Sequence, residues 1–308
     1  MGYHGMYGPS TEPKGIVDLF PDYCFGAYSI RKLRKSYNGP CMRIVRNSDL
    51  SEIDIFFNGD DIDIDSIIEH GRNSFSRVVT WYDQSYYGND VTQSTNSKRP
   101  ILNQSSAGVN ELLNFLDASD QYNNSKICVG FEASVSQELQ STNTISITNQ
   151  DISILSVFGI SPIATLAGEA ITMIGEDAIG KRRAMIHWNG GSGGIDYLFA
   201  SGYGANTQIQ SVQPSISKHY LGYCNFDFTN QLVEGFLNYN NLVSASRTLN
   251  NPVSSKIIIG SSNTGGDAGS EYFYGRISEV IYFNKNMNND IDLIRSNIFK
   301  FYQSLNQQ

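Results

Sequence analysis

The sequence predicts an all-β fold, an antiparallel sandwich, and three observations carry that expectation. From about residue 76 to residue 284, β-branched and aromatic runs recur between clusters of Gly, Asn and Ser, the spacing of short strands joined by turns. Almost nothing in that stretch repeats with a helical period. A hydrophobic content of 40%, with 12% aromatic residues, is ample for a two-layer core in a chain of 308 residues.

Taken in order, residues 1–22 read as an extended arm, with Gly2, Gly5, Gly8, Pro9, Pro13 and Pro21 set among tyrosines without periodicity. Residues 23–308 read as one sandwich domain, of which 23–75 form a small mixed α/β element packed on the rest. Within that element, Tyr28, Ile30, Leu33 and Tyr37 fall at roughly helical spacing and predict a surface helix over 27–37, ended by Gly39 and Pro40. The runs "CMRIVRN" and "IDIFFN" predict strands around the turn "SDLSE". In "DDIDIDSIIEHG" the aspartates alternate, but Ser66 stands where a calcium loop needs Gly and Arg72 where it needs Glu. A short helix over 66–70 with an Asp cap and a stop at Gly71 is the expectation. Strands follow at "SRVVTWYD", "ICVGFEASV", "ISILSVFG", "RRAMIHWN", "IDYLFASG", "KHYLGYCNF", "LVEGFLNYN", "SKIIIGSS" and "YFYGRISEVIYFN". A closing helix is expected where Ile291, Ile294, Ile298, Phe301 and Leu305 line one face.

Composition removes several function classes. The net charge of -8 disfavours a polyphosphate partner, and the basic cluster "SIRKLRKSY" reads as the solvated face of the 27–37 helix, so no nucleic-acid role is assigned. Cys24, Cys41, Cys128 and Cys224 form no CxxC pair and the histidines are scattered, so no zinc site is expected. The first residues lack an apolar core segment, so no secretory signal is read and the cysteines are expected as free thiols. The apolar region at 152–175 is broken by Ser153, Ser156, Gly159, Ser161, Pro162 and Gly168 into strand-sized pieces, so no membrane span is expected. No cofactor is called for, and calcium has no motif behind it.

The segment "TWYDQSYYGNDVTQ" reads as scaffold. Trp81 and Tyr82 supply buried area, Asp83 and Ser85 can bond turn amides, and Gly88 permits a positive φ. Together, "FGAYSIRKLRKSYNGPCMRIVRNSD" and "VVTWYDQSYYGNDVTQ" resemble the start of the arabinofuranosidase B catalytic-domain family, whose fold is a concanavalin A-like sandwich (jelly roll). "LVEGFLNYNNLVSASRTLN" and "KIIIGSSNTGGDAGSEYFYGRISEVIYFN" resemble the ending of a laminin-G-like or concanavalin A-like sandwich. Similar sandwiches with this N-terminal element occur in phage virion proteins.

What the resemblance implies is a retaining glycosidase, with a Glu nucleophile and an Asp acid/base about 5–5.5 Å apart. The strand matching the nucleophile's is "AMIHWNGG", which has no acidic residue; the acid/base position falls on Ser261, Ser262, Asn263 and Thr264. Asp196 and Asp267, a few residues beyond each position, are the displaced candidates, followed by Glu169, Glu176 and Asp177, which have no motif. Trp188, Tyr197 and Tyr203 are candidates for a sugar-stacking platform.

The reading for function is a non-catalytic phage virion protein of a tail, fibre or head appendage. In it a lectin-like sandwich contacts a host-surface glycan, and the arm docks on other virion proteins in a homo-oligomer. Hydrolysis of the arabinofuranosidase type, or a carbohydrate-binding module, is the alternative.

Overall fold

The computed structural model describes residues 14–72, 74–106, 109–112, 127–146, 150–160, 169–175, 182–190, 196–202, 205–212, 220–246, 249, 256–262 and 271–302. The chain is an antiparallel β-sandwich, its two layers joined into one hydrogen-bonded system. One layer runs Val243–Ser246, Leu232–Leu237, Tyr220–Asp227, Ile152–Ile160 and Gly275–Phe283. On the far side of Gly275–Phe283, the short strands Cys24–Ser29 and Val129–Phe131 lie end to end. The other layer runs Glu52–Ile55, Met42–Arg46, Ser76–Trp81, Val91–Thr92, Leu139–Ser141, Lys256–Ile259, Glu169–Gly175, Arg182–Gly190, Asp196–Gly202 and Ala205–Val212. Ile101–Ser106 couples the layers, since Ile101 pairs with both Gly130 and Arg77.

Gly275–Phe283 is the strand on which this arrangement turns. It is flanked on both sides, and its alternate side chains serve two cores, as a period of two requires. Tyr282 reaches inward, its hydroxyl bonded to Thr172 Oγ1 in the opposite layer. Glu279 and Phe283 face outward beneath the chain ends, where Phe20 meets Phe283 edge-on at 5.9 Å. The helix Ile291–Phe301 covers the same outer face through buried Ile294, Ile298 and Phe299. Arg295 of that helix lies over the Phe236 ring at 3.8 Å.

The residues predicted to form an arm divide in two. Residues 1–13 lie outside the described residues, whereas Ile16–Leu19 form a helical turn whose Ile16 and Val17 are fully buried in the chain's own core. Apolar area too small to make a core alone is here added to an existing one.

The helix expected over 27–37 is a strand, Cys24–Ser29, followed by turns. Tyr28 and Ile30 are two apart and each points into a core, so the apparent helical spacing with Leu33 and Tyr37 is coincidental. Arg31, assigned to a solvated basic face, is 6% exposed. Its Nε donates to Glu279 Oε2 at 2.7 Å and its Nη2 to Oε1 at 2.9 Å, while Nη1 donates to Asn297 Oδ1 at 2.9 Å. Ser29 Oγ and the Tyr302 hydroxyl also donate to Glu279 Oε2, at 2.8 and 3.3 Å. Burial opposes the Arg31 charge, but the carboxylate beside it outweighs burial and raises its pKa.

The second expected helix stands as Ile64–His70, with Asp63 capping it by accepting from Ser66 N at 3.2 Å and Gly71 at its C-cap. Strands at Glu169–Gly175 and Ala205–Val212 add to those expected; the second, "ANTQIQSV", is too polar to announce itself. All four cysteines are free and buried. No described helix is long and apolar enough to cross a membrane.

Replacing Glu279 by Ala strands a buried guanidinium and is expected to cost about 3–5 kcal/mol of stability. Urea unfolding measures it. The surface pair Lys35–Asp60, broken by Asp60→Ala, is the contrast and should cost less than about 1 kcal/mol.

Candidate functional site

Asp83 sits on the chain leaving the strand Ser76–Trp81 and is 4% exposed. Its Oδ1 accepts from Ala27 N and Ser85 N, both at 2.8 Å, and its Oδ2 from Ser85 Oγ at 2.6 Å and Asn89 N at 2.8 Å. Burial pushes this carboxyl up, and the four donors pull it the other way. Every oxygen is thus committed to backbone or to Ser85. Gln84 extends the same clamp, accepting from Leu33 N at 2.7 Å and donating to Arg31 O at 2.9 Å. Asn89 donates to Phe25 O at 2.7 Å. Trp81 is fully buried against Tyr28, ring centres 6.2 Å apart, and the Tyr82 hydroxyl donates to Asp54 Oδ1 at 2.9 Å. Gly88, at φ +66°, closes the loop where a side chain would be strained. The segment ties Cys24–Ser29 to the second layer and offers no free carboxylate.

The two strands that the resemblance assigns to the chemistry lie one apart in the second layer, with Glu169–Gly175 between them. In Arg182–Gly190, Ala184 and Ile186 are fully buried, and no residue is acidic. After Lys256–Ile259 the chain turns at Gly260, whose φ of +88° and closeness to the Phe131 ring, 2.2 Å from where a Cβ would stand, admit only glycine. That turn delivers Ser261 and Ser262. Ser261 Oγ donates to Glu138 Oε2, and Ser262 exchanges bonds with the Glu271 backbone, donating N–H to its oxygen at 3.0 Å and accepting from its nitrogen at 3.1 Å.

Glu138, beside the strand Leu139–Ser141, is the buried carboxylate that Ser261 meets, 4% exposed and also accepting from Gln140 Nε2 at 3.1 Å. Sequence reasoning passed over it. Its serine partner is 123 residues away, and nothing in "SQELQS" marks an acid that turns inward.

Of the displaced candidates, Asp267 lies outside the described residues, as do Glu176, Asp177 and Tyr203. Asp196 pairs with Gly190 and Val212 at the start of its strand, and Glu169 pairs with Trp188. Trp188 pairs with Leu198, and Tyr197 with Asn189. Among the described residues no three His, Cys, Asp or Glu side chains gather as a metal site.

No family model and no curated protein matches this sequence. Solved structures do match its fold. An arabinofuranosidase complexed with arabinofuranosyl-α-1,2-xylobiose aligns with TM-score 0.64 at 18% identity, over 93% of this chain and 64% of that one. A mutant GH54 α-L-arabinofuranosidase soaked with 4-nitrophenyl α-L-arabinofuranoside aligns with TM-score 0.63 at 17% identity, over the same shares. This chain thus spans about 64% of the length of those structures, and the likeness is one of fold.

Asp83→Ala leaves the amides of Ala27, Ser85 and Asn89 without their acceptor and should cost roughly 4 kcal/mol in urea unfolding. Ser85→Ala, which removes one donor and leaves the carboxylate, should cost about 1 kcal/mol.

Proposed function

We propose that this chain is a non-catalytic adhesion or structural protein of a phage particle, a glycan-contacting sandwich built on the fold that GH54 enzymes use for hydrolysis. The observation that carries the non-catalytic part is the Gly260 turn. Where double displacement needs a carboxylic acid, this chain presents Ser261 and Ser262, both engaged in hydrogen bonds. The strand expected to supply the nucleophile presents Ala184 and Ile186 to the core instead. Glycan contact is supported by the neighbours of like fold, arabinofuranosidases complexed or soaked with arabinofuranosyl compounds. The virion setting rests on the likeness of the N-terminal segment to phage sandwiches.

Hydrolysis through a displaced pair is the second reading, and one observation favours it: the buried Glu138 carboxylate accepts from Ser261, in the stretch to which the resemblance assigns the acid/base. Incubation with 4-nitrophenyl α-L-arabinofuranoside decides between the two. The expected result is no nitrophenol release above background. Turnover that Glu138→Gln, Asp267→Asn or Asp196→Asn abolishes would establish the hydrolase and end the non-catalytic reading. For the setting, mass spectrometry of virions purified from the source should find this polypeptide, and its absence from them would remove the particle from the proposal.

A further inference from the structure

The basic cluster has no role in the reading above, yet the fold assembles part of it into a pocket. Four chain segments meet there: Lys14 and Gly15 before the first helical turn, Arg31, Lys32 and Lys35 after the strand Cys24–Ser29, Asp60, and Asn297, Lys300 and Phe301 of the last helix. The cavity holds about 180 Å³. It is fixed in shape, since Asn297 accepts from Arg31 Nη1 at 2.9 Å and donates to Lys14 O at 3.3 Å. Phe301 lies against the Arg31 guanidinium, 5.2 Å from ring centre to cation, and provides an apolar wall. Asp60 is the one acid among the lining residues, and it is bonded to Lys35 at 2.6 Å. Arg31 is balanced by Glu279 and Lys35 by Asp60, which leaves Lys14, Lys32 and Lys300 as the further basic residues lining the cavity.

This is a locally positive hollow in a chain of net charge -8, so its field is a local feature, the kind that selects a ligand. Its volume is below the ~300–1,000 Å³ of pockets for drug-sized ligands, which fits a single small group. An aromatic wall beside converging cations suits a sugar ring that carries an anion: the ring's apolar face packs on Phe301 and the anion meets the lysines.

We infer that this pocket binds one anionic sugar residue, its carboxylate, sulfate or phosphate held by Lys14, Lys32 and Lys300. For the sugar, this rests on the glycan-contacting reading; for the anion, it rests on the pocket alone.

Titration calorimetry on the full chain, at low ionic strength, tests it with glucuronate, glucose 6-sulfate and glucose 6-phosphate as probes, and with glucose and sodium sulfate as comparisons. At least one anionic sugar should bind, and which one does names the anion. That binding should weaken as sodium chloride rises. It should fall by about tenfold or more in Lys32→Ala/Lys300→Ala, whose exposed and half-buried side chains leave the melting temperature unchanged. Glucose should not bind there. The inference is overturned if no anionic sugar binds, if the double variant binds as the parent does, or if sodium sulfate binds as tightly as the sugars. Neutral glycans captured on an array by a chain that fails this titration would remove the pocket and leave the glycan-contacting reading standing.

Discussion

The bidentate pair between Arg31 and Glu279 is the constraint around which the rest of the structure is arranged. Two charges taken out of water cost several kcal/mol each unless geometry and further hydrogen bonds repay them. Here the repayment comes from three separate parts of the chain: Ser29 on a first-layer strand, Asn297 on the last helix, and Tyr302 just beyond it. None of these groups can move without exposing a charge to apolar surroundings. The pair therefore fixes where the chain ends lie on the outer face of the Gly275–Phe283 strand, and with them the cavity that both ends line.

Much of the sandwich was legible because its central strands are β-branched and aromatic throughout. Ile152–Ile160 is buried at every position, and such a run has few alternatives once its Gly and Ser interruptions exclude a membrane span. The error at 27–37 has a physical origin. Three or four apolar positions satisfy a helical period by chance, and the charges between them look solvated until a partner 248 residues away is known. Glu138 was hidden for the same reason. Local pattern reveals which face of an element is apolar, not which distant polar group will meet a polar residue turned inward. The Asp83 segment lay at the other extreme, since Ser85 and Asn89, its partners within the loop, are near neighbours in sequence and typical of turns.

The turn at Gly260 shows how one backbone conformation fixes which distant side chains meet. Gly260 imposes the geometry that delivers Ser261 and Ser262 to their partners. Because a serine hydroxyl both donates and accepts, Ser261 and Ser262 close a hydrogen-bonded seam between Glu138 and Glu271.

The position of Gly275–Phe283 in the chain also governs when the protein can fold. It is an interior strand of the first layer, bonded to Ile152–Ile160 on one side and to Cys24–Ser29 on the other, yet it is the last of the described strands in chain order. Ser29 and Glu279, which it brings together, are 250 residues apart. During translation both neighbouring strands emerge with a bare edge facing the gap that this strand will fill. Contacts of such sequence separation form slowly, and exposed edges invite pairing with other chains. Until the ribosome has passed Phe283 those two edges stay bare, which makes the nascent chain the kind of species that associates with its neighbours.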